Sequence, residues 1–288
     1  MTGTTATIDV LERDRSGRGR ISTRIATEVE AFVRSPDTPP PAYVAELQRN
    51  ADERFAEHVL PLMVRIEGGR FEMGTREGDA AHFCGETPSH AVELSPYAIG
   101  AVPVTAGLYG LFDPRQQELP SAERSLPVVD VSWVEAMLFA IWVGCSLPTE
   151  AEWEFACGAG SAGEWCCVEE SELYPHAWYS ENSGGHVHEV ATRESNELGL
   201  FDLHGNVWEW CSDTYAEDFY DRSPVEDPVN VGPEPQGVTS KVCRGGSFHA
   251  LAEMCRTRYR QHEPSDYWAN DLGFRLVRRQ PFAEGRGR

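Results

Sequence analysis

The stretch Arg244–Arg260 reads RGGSFHALAEMCRTRYR, and its meaning decides how the rest of the chain is understood. It joins a glycine pair, a serine, one histidine, one cysteine and four arginines within an acidic protein. Paired glycines free the backbone for a tight turn. Cys255 then has two readings: a reactive thiol for oxidative chemistry, or a buried thiol that packs as a small hydrophobe. The chain around it is large enough for either. Its 288 residues, 41% hydrophobic and 10% aromatic, can build one large domain or one domain with an appendage. A net charge of −21 argues against a nucleic-acid backbone or an anionic membrane as partner, since both demand a concentrated positive surface. No apolar run approaches the roughly 20 residues of a membrane span. The opening MTGTTATIDVLERDRSGRGR lacks the apolar segment of a signal peptide, so a cytoplasmic location is expected.

Eight cysteines is a high count for a reducing compartment: Cys84, Cys145, Cys157, Cys166, Cys167, Cys211, Cys243 and Cys255. None forms a C-x-x-C pair, and no Cys/His spacing matches a structural zinc site. Vicinal Cys166 and Cys167 are disfavoured as a disulfide by ring strain and receive no role. Residues 1–21 form a polar tail, 22–62 an N-terminal helical segment, 63–280 the main domain and 281–288 a second tail. In the helical segment, Ile25, Val29, Phe32 and Val33 predict a helix over 22–34. A second helix is expected over 42–60, stopped by Pro61. An amphipathic face most often packs on its own chain, so both helices are expected to brace the main domain. Assembly with a partner is the alternative.

From Ile66 the texture changes to short strand-like runs rich in glycine and tryptophan. IEGGRFEMG reads as strand, turn, strand. VVDVSWVEAMLFAIWVG starts as a strand and becomes a helix that Asp130 or Ser132 can cap. In LPTEAEWEFACGAG, Thr149 and Glu152 form a capping box and Gly158 supplies the exit. The later half is mostly loop. An α+β domain follows, with a small antiparallel sheet, two main helices and long loops.

LPTEAEWEFA, GLFDLHGNVWEWCSD, RGGSF and DLGFRLVR occur in that order. With IEGGRFEMG and PVVDVSW, they resemble the formylglycine-generating enzyme (sulfatase-modifying factor) domain over about residues 66 to 278. The resemblance implies a variant of the C-type lectin fold with a small twisted sheet. Its members include oxygen-dependent enzymes that convert cysteine to formylglycine, parts of sulfoxide synthases, a pyoverdine-maturation enzyme and lectin-like proteins that display ligands. The resemblance also implies structural Ca²⁺, held by Asp202 and Glu209 with the backbone of Gly205 and Val207, and a second Ca²⁺ near Asn182. Crowded oxygen donors in one loop suit that ion.

Formylglycine-generating members carry two cysteines after the GGS element, and soft thiolates suit Cu(I). Counted forward from Ser247, Cys255 falls one residue from the second of them, with Ala250 near the first. Anchored instead on Arg256, Arg260 and Pro264, which fits more residues together, Cys255 matches a non-redox position. On both alignments the thiolate pair is missing. A redox Fe or Cu then rests on Cys255 with His249, or on His186 and His188, which are two apart and would point the same way in a strand; His204, His249 and His262 are dispersed.

Two functions follow. The first is a divergent oxygen-dependent, metal-using oxidoreductase acting on a peptide or small metabolite. Its candidate catalytic residues are Ser247, His249 and Cys255. Trp208 and Trp268 would border the substrate, and Arg256 and Arg260 would either hold a substrate carboxylate or brace loops. The second is a non-catalytic, C-type-lectin-like module that binds a ligand or protein through FHALAEM and QHEPSDYWAND.

Overall fold

In the computed structural model the described residues are 12–13, 19–20, 23–35, 39–76, 83, 85–113, 119–232 and 239–279. The expected tail 281–288, most of the tail 1–21 and Cys84 lie outside them. Near the start, Glu12–Arg13 pairs with Gly19–Arg20 as a two-residue ladder.

Helix α1 (Thr23–Arg34) buries Ile25, Ala26 and Val29, the face its spacing anticipates. The single helix expected over 42–60 is instead broken. Helix α2 (Ala42–Leu47) ends in a turn where Asn50 adopts φ 60°, and α3 (Ala51–Arg54) runs on into a π-helical turn, Phe55–Val59. Asparagine tolerates that left-handed conformation better than most residues. The break lets Val44, Leu47, Phe55 and Val59 reach one core cluster, which they share with α1 and with α5 (Trp133–Trp142). The segment therefore packs on its own chain.

Local capping signals come out where the sequence puts them. Ser132 caps α5 with Glu135, and Thr149 caps α6 (Glu150–Gly158) with Glu152, both as reciprocal boxes. The left-handed exit of α6 falls on Ala159 (φ 48°) and Gly160 (φ 82°), just past Gly158. No strand precedes α5, where Pro127 makes only an isolated bridge to Thr105. A one-turn helix, α4 (Ala106–Tyr109), lies upstream.

The strands form small sheets. β1 (Met63–Ile66) and β2 (Gly69–Met73) do follow one another, but they are no hairpin: β1 pairs with β4 (Tyr97–Gly100), and β2 with β3 (His90–Leu94). Gly68 and Gly69, both at positive φ, pass the chain from one sheet to the other. β9 (Val277–Arg278) adds to β4, giving the order β9-β4-β1. The sheet that positions the site contains β5 (Trp208–Thr214), β6 (Ser240–Arg244), β7 (Gln261–Pro264) and β8 (Leu272–Gly273) in the order β8-β5-β6-β7. Its pairs are antiparallel except β8 with β5. A second core cluster joins α6 to β2, β3 and β5 through Trp153, Met73, Val92 and Cys211. Between α6 and β5 lies a long loop region with one 3-10 turn, Glu170–Glu172.

Candidate functional site

Two loops meet at the ends of β5 and β6. In the first, Asp202–Glu209, Gly205 adopts φ 93°, and a Cβ there would run into the Trp178 carbonyl. In the second, each glycine of the pair after β6 has its own spatial reason: Gly245 sits at φ 101°, where a Cβ would press on the Trp153 ring at 3.1 Å and the Leu203 carbonyl at 3.2 Å. Gly246 sits at φ 75°, and a Cβ on it would come within 2.5 Å of Cys255 Sγ. Cys255 is fully buried among Trp165, Leu173 and Ala250. Burial pushes its thiol up to about 12.

Ser247 and His249 turn elsewhere. Ser247 Oγ donates to Asp271 Oδ2 at 2.8 Å and accepts the His249 N–H at 3.3 Å. The His249 ring is exposed and lies 4.1 Å from the Phe248 ring centre. Ser247 and His249 thus share one turn, in which Ser247 is buried and only His249 reaches the surface, while Cys255 lies in the interior.

Three of the four arginines of the quoted stretch point inward as well. Arg260 grips Glu150 with Nε and Nη2 at 2.7 and 2.8 Å and donates to the Gly85 carbonyl. Arg256 holds Glu86 at 2.8 Å and Glu164 at 3.0 Å. Arg244 reaches Glu150 at 3.0 Å, Glu154, and the Thr257 carbonyl at 2.8 Å. Arg260 with Glu150 and Arg256 with Glu86 are the forked pairs that guanidinium favours, and every carboxylate in this set belongs to the chain.

Around the first loop, Glu209 is held by Arg275 through both oxygens, at 2.5 and 2.6 Å, and accepts the Trp153 indole N–H at 2.8 Å. Asp202 accepts the Ala191 N–H at 2.8 Å and the Asn206 amide at 3.3 Å, and burial raises its carboxyl to about 6. Asn182 closes its own turn, accepting the Tyr179 N–H and donating to the Ala177 carbonyl, both at 2.9 Å. Calcium needs six to eight oxygens, several of them anionic. Here both oxygens of Glu209 are taken by Arg275, and those of Asp202 by the Ala191 N–H and the Asn206 amide. As placed, these side chains are engaged within the chain and are not turned towards a common ion.

The histidines are separated too. His188 stacks on Trp178 with ring centres 3.6 Å apart and reaches the Ser183 carbonyl at 2.7 Å, while the His186 ring centre lies 6.2 Å away. His204 bonds the Cys255 carbonyl and the Cys166 N–H. Among the described residues, no three His, Cys, Asp or Glu side chains are grouped to hold a metal. The described cysteines are all free thiols.

What the stretch does build outward is aromatic. Half-buried Trp208 lies 5.9 Å from Tyr259, and Tyr259 lies 5.1 Å from Phe83, ring centre to ring centre. Arg256 underlies the row, 5.4 Å from the Phe83 ring and 5.8 Å from that of Tyr259. Leu251, 53% exposed, stands on the same loop as His249. Trp268 is half-buried in the loop between β7 and β8. The sequence reading singled out Trp208 but missed Tyr259 and Phe83. Tyr259 had a readable signal, an aromatic set between two anchoring arginines. Phe83 had none, because only the fold brings it to Tyr259.

The match to known families covers most of the chain. Residues 48–280 match the sulfatase-modifying factor enzyme 1-like domain. The formylglycine-generating enzyme of Streptomyces coelicolor is 29% identical over 280 residues, covering 74% of this chain and 88% of that one. Serine/threonine-protein kinase Pkn1 of Chlamydia trachomatis is 31% identical over 79% of this chain, which spans 40% of that protein's length. Among solved structures, Treponema denticola variable protein 1 superposes with a TM-score of 0.63 at 27% identity, covering 76% of this chain and 95% of that one. The α+β architecture is thus the formylglycine-generating-enzyme-like variant of the C-type lectin fold. The chain belongs to the sulfatase-modifying factor enzyme 1-like family.

Proposed function

We propose that this family member recognises a peptide or small-molecule ligand on the face formed by Trp208, Tyr259 and Phe83. One observation carries the reading: a row of partly exposed rings fixed from beneath by Arg256, whose charge is already spent on Glu86 and Glu164. Rigid aromatics on a braced base supply contact area at little entropic cost, the usual character of a binding anchor. Arg256 and Arg260 act as frame rather than as clamps for a substrate carboxylate.

The second reading is the divergent oxygen-dependent oxidoreductase acting on a peptide or small metabolite. The similarity to the formylglycine-generating enzyme over most of both chains favours it. The geometry of Cys255 weighs against that thiol as its reacting group. Its sulfur is fully buried beside Gly246 in the cluster of Trp165, Leu173 and Ala250, while the ring of His249, its candidate partner, is exposed.

Selection of a phage-displayed random peptide library on the full chain tests the binding face. The expected result is an enriched motif whose affinity falls about tenfold or more in Trp208→Ala and Tyr259→Ala, the loss of an anchor ring. No enrichment, or enrichment indifferent to both substitutions, overturns the reading.

A further inference from the structure

The chain holds one lysine, Lys241, against 24 arginines. That lysine is only 4% exposed and lines a cavity of about 800 Å³ between α1 and the main domain. We propose that this cavity binds an amphipathic carboxylate. Its head group rests on Lys241, and its apolar body lies along the α5 face of Met137 and Ile141.

An ammonium has three donors. Among the described residues, Lys241 Nζ makes one hydrogen bond, to Thr214 Oγ1 at 3.1 Å, and no ion pair. It also rests 4.1 Å from the Trp133 ring centre. Burying a cation without a contacting counter-charge is costly. Desolvation accordingly brings the Lys241 ammonium down to about 8.

The nearby acids do not close the gap. Glu30 on α1 accepts the Thr239 and Ser265 hydroxyls, each at 2.7 Å. Asp213 on β5 accepts the backbone N–H of Glu150 and of Asn230, each at 2.8 Å. The other carboxylates of the cavity wall are engaged as well. Glu152 holds Arg279 at 2.6 Å, Asp52 holds Arg278 at 2.8 Å, and Asp227 accepts from Ser95 at 2.7 Å. Lys241 is left with none, so the group missing from the wall is an anion.

The apolar requirement comes from α5. Trp133, Met137 and Ile141 are four residues apart and so stack along one helix face. Lys241 sits over the first, and the other two line the cavity. Phe32 and Val33 of α1 supply the opposite wall. A charged end followed by an apolar stripe calls for a ligand built the same way. The volume falls within the roughly 300–1,000 Å³ usual for small-molecule sites. The roof, α1, precedes the segment matched to the family, and the aromatic face plays no part in this site.

The unique lysine makes the test clean, because amine reagents on the full chain meet only Lys241 and the α-amino group. Sodium decanoate is the probe, with decanol and inorganic phosphate as comparisons. Decanoate should raise Tm and slow acetylation of Lys241 about tenfold, read by peptide mass spectrometry. Decanol and phosphate should each fall well short of that protection. Lys241→Met, which keeps the bulk, should melt like the wild type and lose the decanoate shift. If that variant does not fold, protection of Lys241 in the wild-type chain decides. Unchanged Tm and acetylation with decanoate, or equal protection by decanol, overturns the proposal.

Discussion

His204 is a fully buried imidazole with both nitrogens engaged. Nδ1–H donates to the Cys255 carbonyl at 2.8 Å, and Nε2 accepts the Cys166 N–H at 3.0 Å. That pairing suits the neutral ring, and burial lowers its pKa from 6.5 to about 4. The unfolded chain therefore takes up this proton first. His204's contribution to stability is complete above pH 6.5 and is lost as pH falls towards 4. Asp202 and Asp213 act in the opposite sense, since burial raises both to about 6 and their penalty relaxes on acidification. The wild type minus His204→Gln difference cancels them. In melts across pH it should be largest above pH 6.5 and shrink towards pH 4; a difference independent of pH contradicts the assignment. His204 also explains why the role of Cys255 was not legible in sequence. Counting residues from Ser247 fixes where the thiol lies along the chain. Its burial follows from its approach to Gly246, the His204 bond to its own carbonyl and the cluster it shares with Trp165, none of which spacing reveals.

At the level of elements, what was readable was local. The Ser132/Glu135 and Thr149/Glu152 caps span three residues, so sequence shows both partners. The adjacent strands β1 and β2 were readable as strands but not in their pairing, because their true partners come from β4 and β3. The helix expected over 42–60 failed at Asn50, where one left-handed residue redirects the chain to satisfy the core. The arginines show the same limit most clearly, since Glu150 lies 110 positions from Arg260 and Glu86 lies 170 from Arg256. These pairs tie α6 and the segment before β3 to the loop after β6. Removing one partner leaves a buried charge uncompensated, which costs about 3–5 kcal/mol. Arg260→Met should lose about 3 kcal/mol by denaturant unfolding, the lower end, because Arg244 still contacts Glu150. A loss below about 1 kcal/mol, the level of a surface pair, would mean the fork is not structural.

Across the whole molecule, one core cluster runs from α1 through α5 to the sheet, so the N-terminal helices complete the domain. The fold was legible because six ordered motifs span nearly all of it. The chemistry was not, because the same motifs can surround a reactive centre or a packed one. Here RGGSFHALAEMCRTRYR turns its glycines to admit a protonated thiol, its arginines to internal carboxylates and one tyrosine outward. That the stretch supports and recognises rather than oxidises is tested most directly by anaerobic purification with quantification of Fe, Cu and Ca. Oxygen uptake with a thiol reductant is then measured after reconstitution, beside a melt in EDTA. The expected result is no stoichiometric metal, no oxygen uptake above buffer and an unchanged Tm in EDTA. Stoichiometric Cu or Fe, with reductant-dependent oxygen uptake that disappears in Cys255→Ala, would contradict it.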